Sequence, residues 1–455
     1  MTLPPAFSRA AERAGAWLGS LDSRPVTPEV LHEAVENALG ELPDGPTDDA
    51  EVIDLLAEAV EPGLAAMGSG RWFGFVMGGA YPVSIAADWL VSTWDQNAGM
   101  LATTPGVVAA ERVAARWLLE LLGLPEDASV GFVTGATTAN FVGILVGRDE
   151  LLRRSGWDHD SGLAGGPSIR VLAGAEVHIS PLQALRYAGL PQPELLDVDA
   201  QGRVLPATLE AALAADPDRP TLVLLQAGDI HSGDSDPFAA LIPIANRYPT
   251  WVHVDGAFGL WQAASPSLRH LTAGLELADS WATDAHKTLN VPYDCGIVIV
   301  RDATAHRAAM SMHAPYLFEE EEANPYELVP EMSRRARGVP VWATLRALGR
   351  RGVAELVDRL HLRARQLADG IGALPGARVL NDVVFTQVCV AFEDDARTRA
   401  IVEALLAEGE VWISGSEWHG RPILRISVSN WATSEDDVAR AIAAVARAAE
   451  AHPAG

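Results

Sequence analysis

The chain has 455 residues, 49% apolar and 21% charged, and a mean hydropathy of +0.11. That is room for two or three packed units with real cores, which excludes global disorder. Sixty acids against 34 bases give a net charge of −26. A surface that negative repels phosphate backbones and anionic lipid, so neither nucleic acid nor a membrane surface is expected as a partner.

The first 70 residues read as helical with proline and glycine breaks, the clearest stretch being Asp48–Ala66. These helices cannot bury their apolar faces alone, and a dimer-forming role is expected of them. Between about 100 and 300, short apolar runs alternate with longer amphipathic ones. Helices are predicted over Ala109–Leu122, Thr137–Arg154, Pro181–Ala188 and Pro237–Arg247. Strands are predicted over Ser129–Thr134, Ser168–Leu172, Thr221–Gln226, Thr250–Val254, Asp279–Thr283 and Gly296–Val300. This alternation predicts an α/β unit with a mostly parallel sheet, whose ligands sit beyond the carboxyl ends of its strands. The acidic stretch Phe318–Glu331 reads as a loop. Helices over Val339–Leu348 and Val353–Leu374, strands near Phe385–Phe392 and Ile423–Ser429, and a last helix over Ser434–Ala449 predict a smaller α+β unit. The expected division is therefore 1–70, 71–335 and 336–455.

Two cysteines, Cys295 and Cys389, cannot frame a disulfide-rich fold, and a reducing compartment is the simpler reading. No basic leader precedes an apolar run at the start, and no apolar run reaches the roughly 18 to 20 residues of a membrane span. A cytoplasmic location is expected.

Lysine occurs once, at Lys287, so 33 of the 34 bases are arginine. Arginine replaces lysine in most solvated roles but not where a neutral, nucleophilic amine is needed. No Walker phosphate loop, Gly-x-Ser-x-Gly elbow, dinucleotide fingerprint, His-Glu-x-x-His or cysteine pair is present, so no metal site is expected. Four short segments remain, each following a predicted strand. In Asp279–Lys287 (DSWATDAHK) the lysine is placed to form a Schiff base, or a plain ion pair with Asp284. In HVDGAFG (253–259), Asp255 can protonate a pyridine nitrogen or simply cap a turn. In TGATTAN (134–140), backbone N–H groups at a helix start suit a phosphate, or threonine caps the helix. In EVHIS (176–180), His178 can stack on a ring and exchange protons, or merely be solvated.

In chain order (phosphate cradle, histidine, strand-end aspartate, then Lys287 following Asp255 by 32 residues) the segments resemble the group II pyridoxal-phosphate decarboxylases of fold type I, which include the aromatic-amino-acid and glutamate decarboxylases. VPYDCG (291–296), SRRARGVPVWATLRALG (333–349) and LRISVSNWATSEDD (424–437) match as well, so the resemblance covers about residues 70 to 450. It implies pyridoxal 5'-phosphate as cofactor, an intertwined homodimer, and an L-amino acid as substrate. Lys287 would hold the cofactor, Asp255 would pair with its ring nitrogen, and His178 and Ala257 would flank the ring. Ala136 and Thr137 would cradle the phosphate with His286 and Asp284. Many relatives have asparagine at the position of Asp284, so an acid there needs a partner of its own. Gly256 stands where the family usually has alanine, and Val339-Pro340 where it commonly has Leu-Lys.

Tyr326, eight residues before Arg334, is the candidate for the family's loop tyrosine, which protonates the carbanion after carbon dioxide leaves; the alignment is one residue short. If no tyrosine reaches that carbon, oxidation to an aldehyde or a carbon–carbon lysis is the alternative. A cofactor-binding homologue without activity is the third reading. Arg71–Leu90 resembles the family's pocket-forming stretch. Its Trp72, Phe73, Phe75 and Tyr81, with Trp94 beyond, favour an aromatic or bulky apolar substrate, while Arg71 could instead hold an acidic one.

Overall fold

In the computed structural model the described residues are 3–312 and 321–453. Phe318, Glu319 and Glu320 of the expected acidic loop lie outside them. The remainder of that loop contains a one-turn helix, Pro325–Glu327. No helix among the described residues is long and apolar enough to cross a membrane.

In chain order, α1 (Pro5–Ser20), α2 (His32–Leu39), α3 (Asp49–Val60), α4 (Pro82–Trp94) and α5 (Pro105–Leu122) precede β1 (Ser129–Val133). There follow α6 (Ala136–Arg154), β2 (Arg170–Gly174), α7 (Ile179–Tyr187), β3 (Glu194–Leu196), α8 (Pro206–Ala215) and β4 (Thr221–Gln226). Then come α9 (Phe238–Ala245), β5 (Thr250–Asp255), β6 (Ser280–Asp284), β7 (Gly296–Val300) and α10 (Ala303–Met310). The chain ends with α11 (Gly338–Gly372), β8 (Arg378–Val379), β9 (Gln387–Ala391), α12 (Asp395–Glu408), β10 (Ser414–Trp418), β11 (Arg421–Ser427) and α13 (Glu435–Ala451). The two helices expected after 335 form a single run broken at Gly349, whose φ of 61° lies in the left-handed region.

The chain divides into two compact units, and not where the sequence reading put the boundaries. One unit is 80–364 with 381–387; the other joins 1–79 to 365–380 and 388–455. The N-terminal helices are therefore not a separate segment. Buried Arg71 shows why: its guanidinium donates to the carbonyls of Leu21, Arg24 and Glu410, tying the first helices to the C-terminal strands. In the same unit the Val26 N–H donates to Gly409 O and the Phe73 N–H to Trp412 O. Its four-stranded sheet runs β10-β11-β9-β8, antiparallel throughout the two pairings β10–β11 and β8–β9.

The larger unit is built on a seven-stranded sheet of order β1-β7-β6-β5-β4-β2-β3. All pairings are parallel except those of β7 with its two neighbours. Its central strands are buried along their whole length, as a sheet covered on both faces requires. The apolar side of α6 (Ala139, Val142, Val146) packs on this sheet in a cluster with Val171, Leu222, Leu224 and Val298. Arg334, from the SRRARG segment, anchors α5 beneath it. The pair is fully buried: its guanidinium holds Glu111 at 2.6 Å and donates to the carbonyls of Ala98 and Phe132.

Candidate active site

Four strand ends converge on one region of the larger unit. β1 stops at Val133 and α6 starts at Ala136, with Gly135 supplying no side-chain cap. The cap comes instead from the end of β6, where Asp284 Oδ1 accepts the Ala136 N–H at 2.6 Å. The other oxygen, Oδ2, lies 2.9 Å from Lys287 Nζ. His286 completes the group, its Nε2 3.5 Å from Asp284 Oδ1. Because the Cys295 N–H donates to His286 Nδ1 at 3.0 Å, the ring's proton sits on Nε2, facing the carboxylate. Burial holds the His286 imidazole below its ordinary range, against the pull of Asp284. The Tyr293 ring lies over it at 4.3 Å, with its hydroxyl pushed up to about 12 by burial and by Asp284. The acid that stands in place of asparagine thus has the partners it needs.

Asp255 ends β5, beside β6, and is 6% exposed. Burial pushes its carboxyl above the usual carboxylate range. The neighbouring His178 and Lys287 side chains, the Ala257 N–H at 3.1 Å and the Asn140 side chain pull it back. Asp255, His178, Ala257 and Lys287 are thereby brought together.

His178 sits at the start of α7 and caps it. The Ser180 N–H donates to His178 Nδ1 at 3.2 Å, which leaves the imidazole proton on Nε2. Gln226, at the end of β4, fixes this loop from both sides: its Oε1 accepts the His178 N–H at 2.8 Å, and its Nε2 donates to Glu176 O at 3.1 Å. Thr137 lies exposed in the first turn of α6, beside Ala136. Glu176, Asp229 and His231 also bring metal-ligating atoms within 4.8 Å of one another. Asp229 Oδ1 is engaged by the backbone N–H groups of His231 and Ser232, so this cluster closes its own loop.

The remaining candidates are placed differently. Tyr326 is 2% exposed in the one-turn helix after 324, its N–H bonded to Gly99 O, and not at a strand end. Trp72 and Phe73 are buried inside the smaller unit, Trp72 stacked on Trp412 at 4.4 Å. Phe75 is 51% exposed in that unit. Tyr81 opens the larger unit at the N-terminus of α4, its hydroxyl raised by burial against a hydrogen bond with Arg359. Trp94 lines a cavity of about 630 Å³ with Thr104, Pro105, Val107, Val339 and Trp342, none of them in the Lys287 group.

Three residues behind the site have no role of their own in the sequence reading: Asn140 and His253, which lie within TGATTAN and HVDGAFG, and Gln226, at the end of a strand. The alternation in TWVHVD held a signal, because it sets Trp251, His253 and Asp255 on one face of β5.

The chemistry of this group suits a flat, anionic aldehyde. An amine, a buried carboxylate close to it, an imidazole of fixed tautomer and a helix start with no side-chain cap of its own lie at neighbouring strand ends. A model of the pyridoxal-dependent decarboxylase conserved domain matches residues 28–393. The chain is 27% identical to tryptophan decarboxylase 1 of Oryza sativa subsp. japonica, covering 94% of this chain and 90% of that one. It is 26% identical to phenylacetaldehyde synthase of Arabidopsis thaliana, covering 91% and 88%. A crystal structure of Oryza sativa TDC with PLP and tryptamine superposes with a TM-score of 0.92 at 24% identity, over 98% of both chains. The fold is that of fold type I, the cofactor is pyridoxal phosphate and the enzyme is a carboxy-lyase: the chain belongs to the pyridoxal-dependent decarboxylases.

Proposed function

We propose that the protein decarboxylates an aromatic or bulky apolar L-amino acid, releasing carbon dioxide and the amine, as a cytoplasmic homodimer. Arg71 carries the choice of substrate class. It was the residue best suited to a side-chain carboxylate, yet its side chain is 1% exposed and its guanidinium is engaged by three backbone carbonyls at 2.6 to 3.2 Å and by Glu410 at 3.6 Å. A guanidinium so committed is not offered to a substrate, and the −26 charge repels an acidic one.

Pyridoxal phosphate, when bound, supplies the electron sink for the pair left on the α-carbon as carbon dioxide departs. Lys287 would provide the amine that holds it, and Asp255 would pair with its ring nitrogen. His178 and Ala257 would flank the ring, with His178 able to exchange a proton at Nε2. Ala136, Thr137, Asp284 and His286 would hold the phosphate.

One observation favours a second reading. Tyr326, the candidate for returning a proton to the α-carbon, is fully buried. Where no proton is delivered, dioxygen takes the electrons, and amino acid, dioxygen and water yield aldehyde, carbon dioxide, ammonia and hydrogen peroxide. The similarity to phenylacetaldehyde synthase supports this course.

The test is a panel of L-amino acids given to the yellow holoenzyme, with carbon dioxide, amine, aldehyde and peroxide all measured. Amine from tryptophan, tyrosine or phenylalanine is expected, and Lys287→Ala abolishes it while leaving a folded protein. Aldehyde with peroxide establishes the second reading. Turnover of aspartate or glutamate with the aromatics inert overturns the substrate class. The homodimer is supported by exposed Leu18, Val52, Leu55 and Leu56 on α1 and α3 and by Trp89, Leu90 and Trp94 on α4. Light scattering that shows a 48.3 kDa monomer overturns it.

A further inference from the structure

We propose that Trp251, Ser280, His253 and Asn140 form a hydrogen-bond chain of fixed direction that ends on Asp255 and holds its carboxyl in the charged form. The inference rests on the reading of Asp255 as partner of the cofactor's ring nitrogen.

The period of β5 sets Trp251, His253 and Asp255 on one face, toward α6. The helix makes room for the first two with glycine. A Cβ on Gly143 would lie 2.5 Å from His253 Cε1, and one on Gly147 the same distance from Trp251 Cδ1. Asn140 stands on the same helix face, one turn earlier.

The direction is fixed at the two ends, by an indole that can only donate and a carboxylate that can only accept. Trp251 Nε1 donates to Ser280 Oγ at 2.9 Å. The hydroxyl has one proton, which goes to His253 Nδ1 at 2.8 Å. Burial lowers the imidazole to about 3, so it is neutral and its single proton is on Nε2. That proton is donated to Asn140 Oδ1 at 2.9 Å. With its oxygen so engaged, the Asn140 amide turns its N–H groups to Asp255 and, at 3.4 Å, to Ser180 Oγ. Ser180 Oγ in turn lies 2.9 Å from His178 Nδ1, so one amide reaches both cofactor-facing side chains.

All four members are between 0% and 1% exposed, so water does not replace a missing link. A carboxyl this buried reverts to its neutral form unless donors hold it charged, and a neutral Asp255 cannot keep a pyridine nitrogen protonated. Asn140, His253 and Ser280 are thus positioning residues.

The test loads the protein with pyridoxal phosphate labelled with nitrogen-15 in the ring and reads the ring-nitrogen resonance and the cofactor dissociation constant. The wild type is expected in the protonated range. Asn140→Leu keeps the volume and removes the donor; its resonance should move toward the unprotonated position and its dissociation constant rise about tenfold or more. His253→Gln keeps an amide donor toward Asn140 and should stay within about threefold of wild type. Should Asn140→Leu not fold, Ser280→Ala is read in the same way, with a smaller shift of the same sign. An unmoved resonance and dissociation constant in the folded variant overturn the proposal, and so does a His253→Gln as impaired as Asn140→Leu. A wild-type ring nitrogen without its proton overturns the reading of Asp255 itself, and this proposal with it.

Discussion

Asp284 shows how one residue's charge reshapes a shared site. Its carboxylate caps α6 and pairs with Lys287 Nζ, two roles that a neutral amide would fill less strongly. The same negative charge opposes a phosphate dianion at that helix start. Asp284→Asn is therefore expected to bind pyridoxal phosphate several-fold more tightly, measured by absorbance titration of the cofactor-free protein. The cofactor-free variant should melt lower, because the Lys287 ammonium loses its charged partner. Equal or weaker binding would show that the surrounding N–H groups and His286 already neutralise the acid. The identity of Lys287 was legible from the composition, since a lone lysine after a strand stands out among 33 arginines. Its link to Ala136 through Asp284 was not, because Asp284 and Ala136 lie 148 positions apart.

At the scale of elements, α6 and β5 fit face to face because two glycines let two large side chains enter the helix surface. Gly147→Ala places a methyl group 2.5 Å from the Trp251 indole, in a strand buried along its length. Overpacking of this kind costs about 1–3 kcal/mol, and urea unfolding should show it. A variant as stable as wild type would mean that α6 lifts from the sheet without penalty. The core strands β4, β5 and β7 were legible as short apolar runs between turn signals. By contrast β3 is three residues long with two of them exposed, and β10 (SGSEW) is an edge strand with a single buried residue. Neither leaves an apolar run, so the sequence carried no mark of them.

For the whole molecule, buried histidines link stability to pH. His306 is 0% exposed between Ser129 Oγ and Leu328 O, its Nε2 donating to the carbonyl, and burial lowers it to about 4. The unfolded chain takes up this proton near pH 6.5, so stability falls as pH drops from about 6.5 to 4. The loss amounts to about 3 kcal/mol. His306→Gln lacks it, and the stability margin of wild type over the variant should shrink by that amount between pH 7 and pH 4. Asp236, pushed up to about 7 by burial, shifts both proteins alike and cancels from the comparison. A margin that stays constant with pH would show that His306 is charged in the folded state.

The sequence by itself determined the sheet, the family and the strand-end residues Lys287, Asp255, His178 and Ala136, because each lies within a few positions of a local pattern that physics constrains. Only the tertiary structure decided what stands behind them. The division of the chain joins residues 1–79 to the C-terminal strands through Arg71, a buried cation whose partners are up to 339 positions away. Arg71 is committed for the same reason: a buried guanidinium must satisfy its donors wherever carbonyls converge. The chain from Trp251 to Asp255 likewise crosses three elements. A hydrogen-bond direction depends on distances among Trp251, Ser280, His253 and Asn140, and no spacing along one strand or helix encodes them.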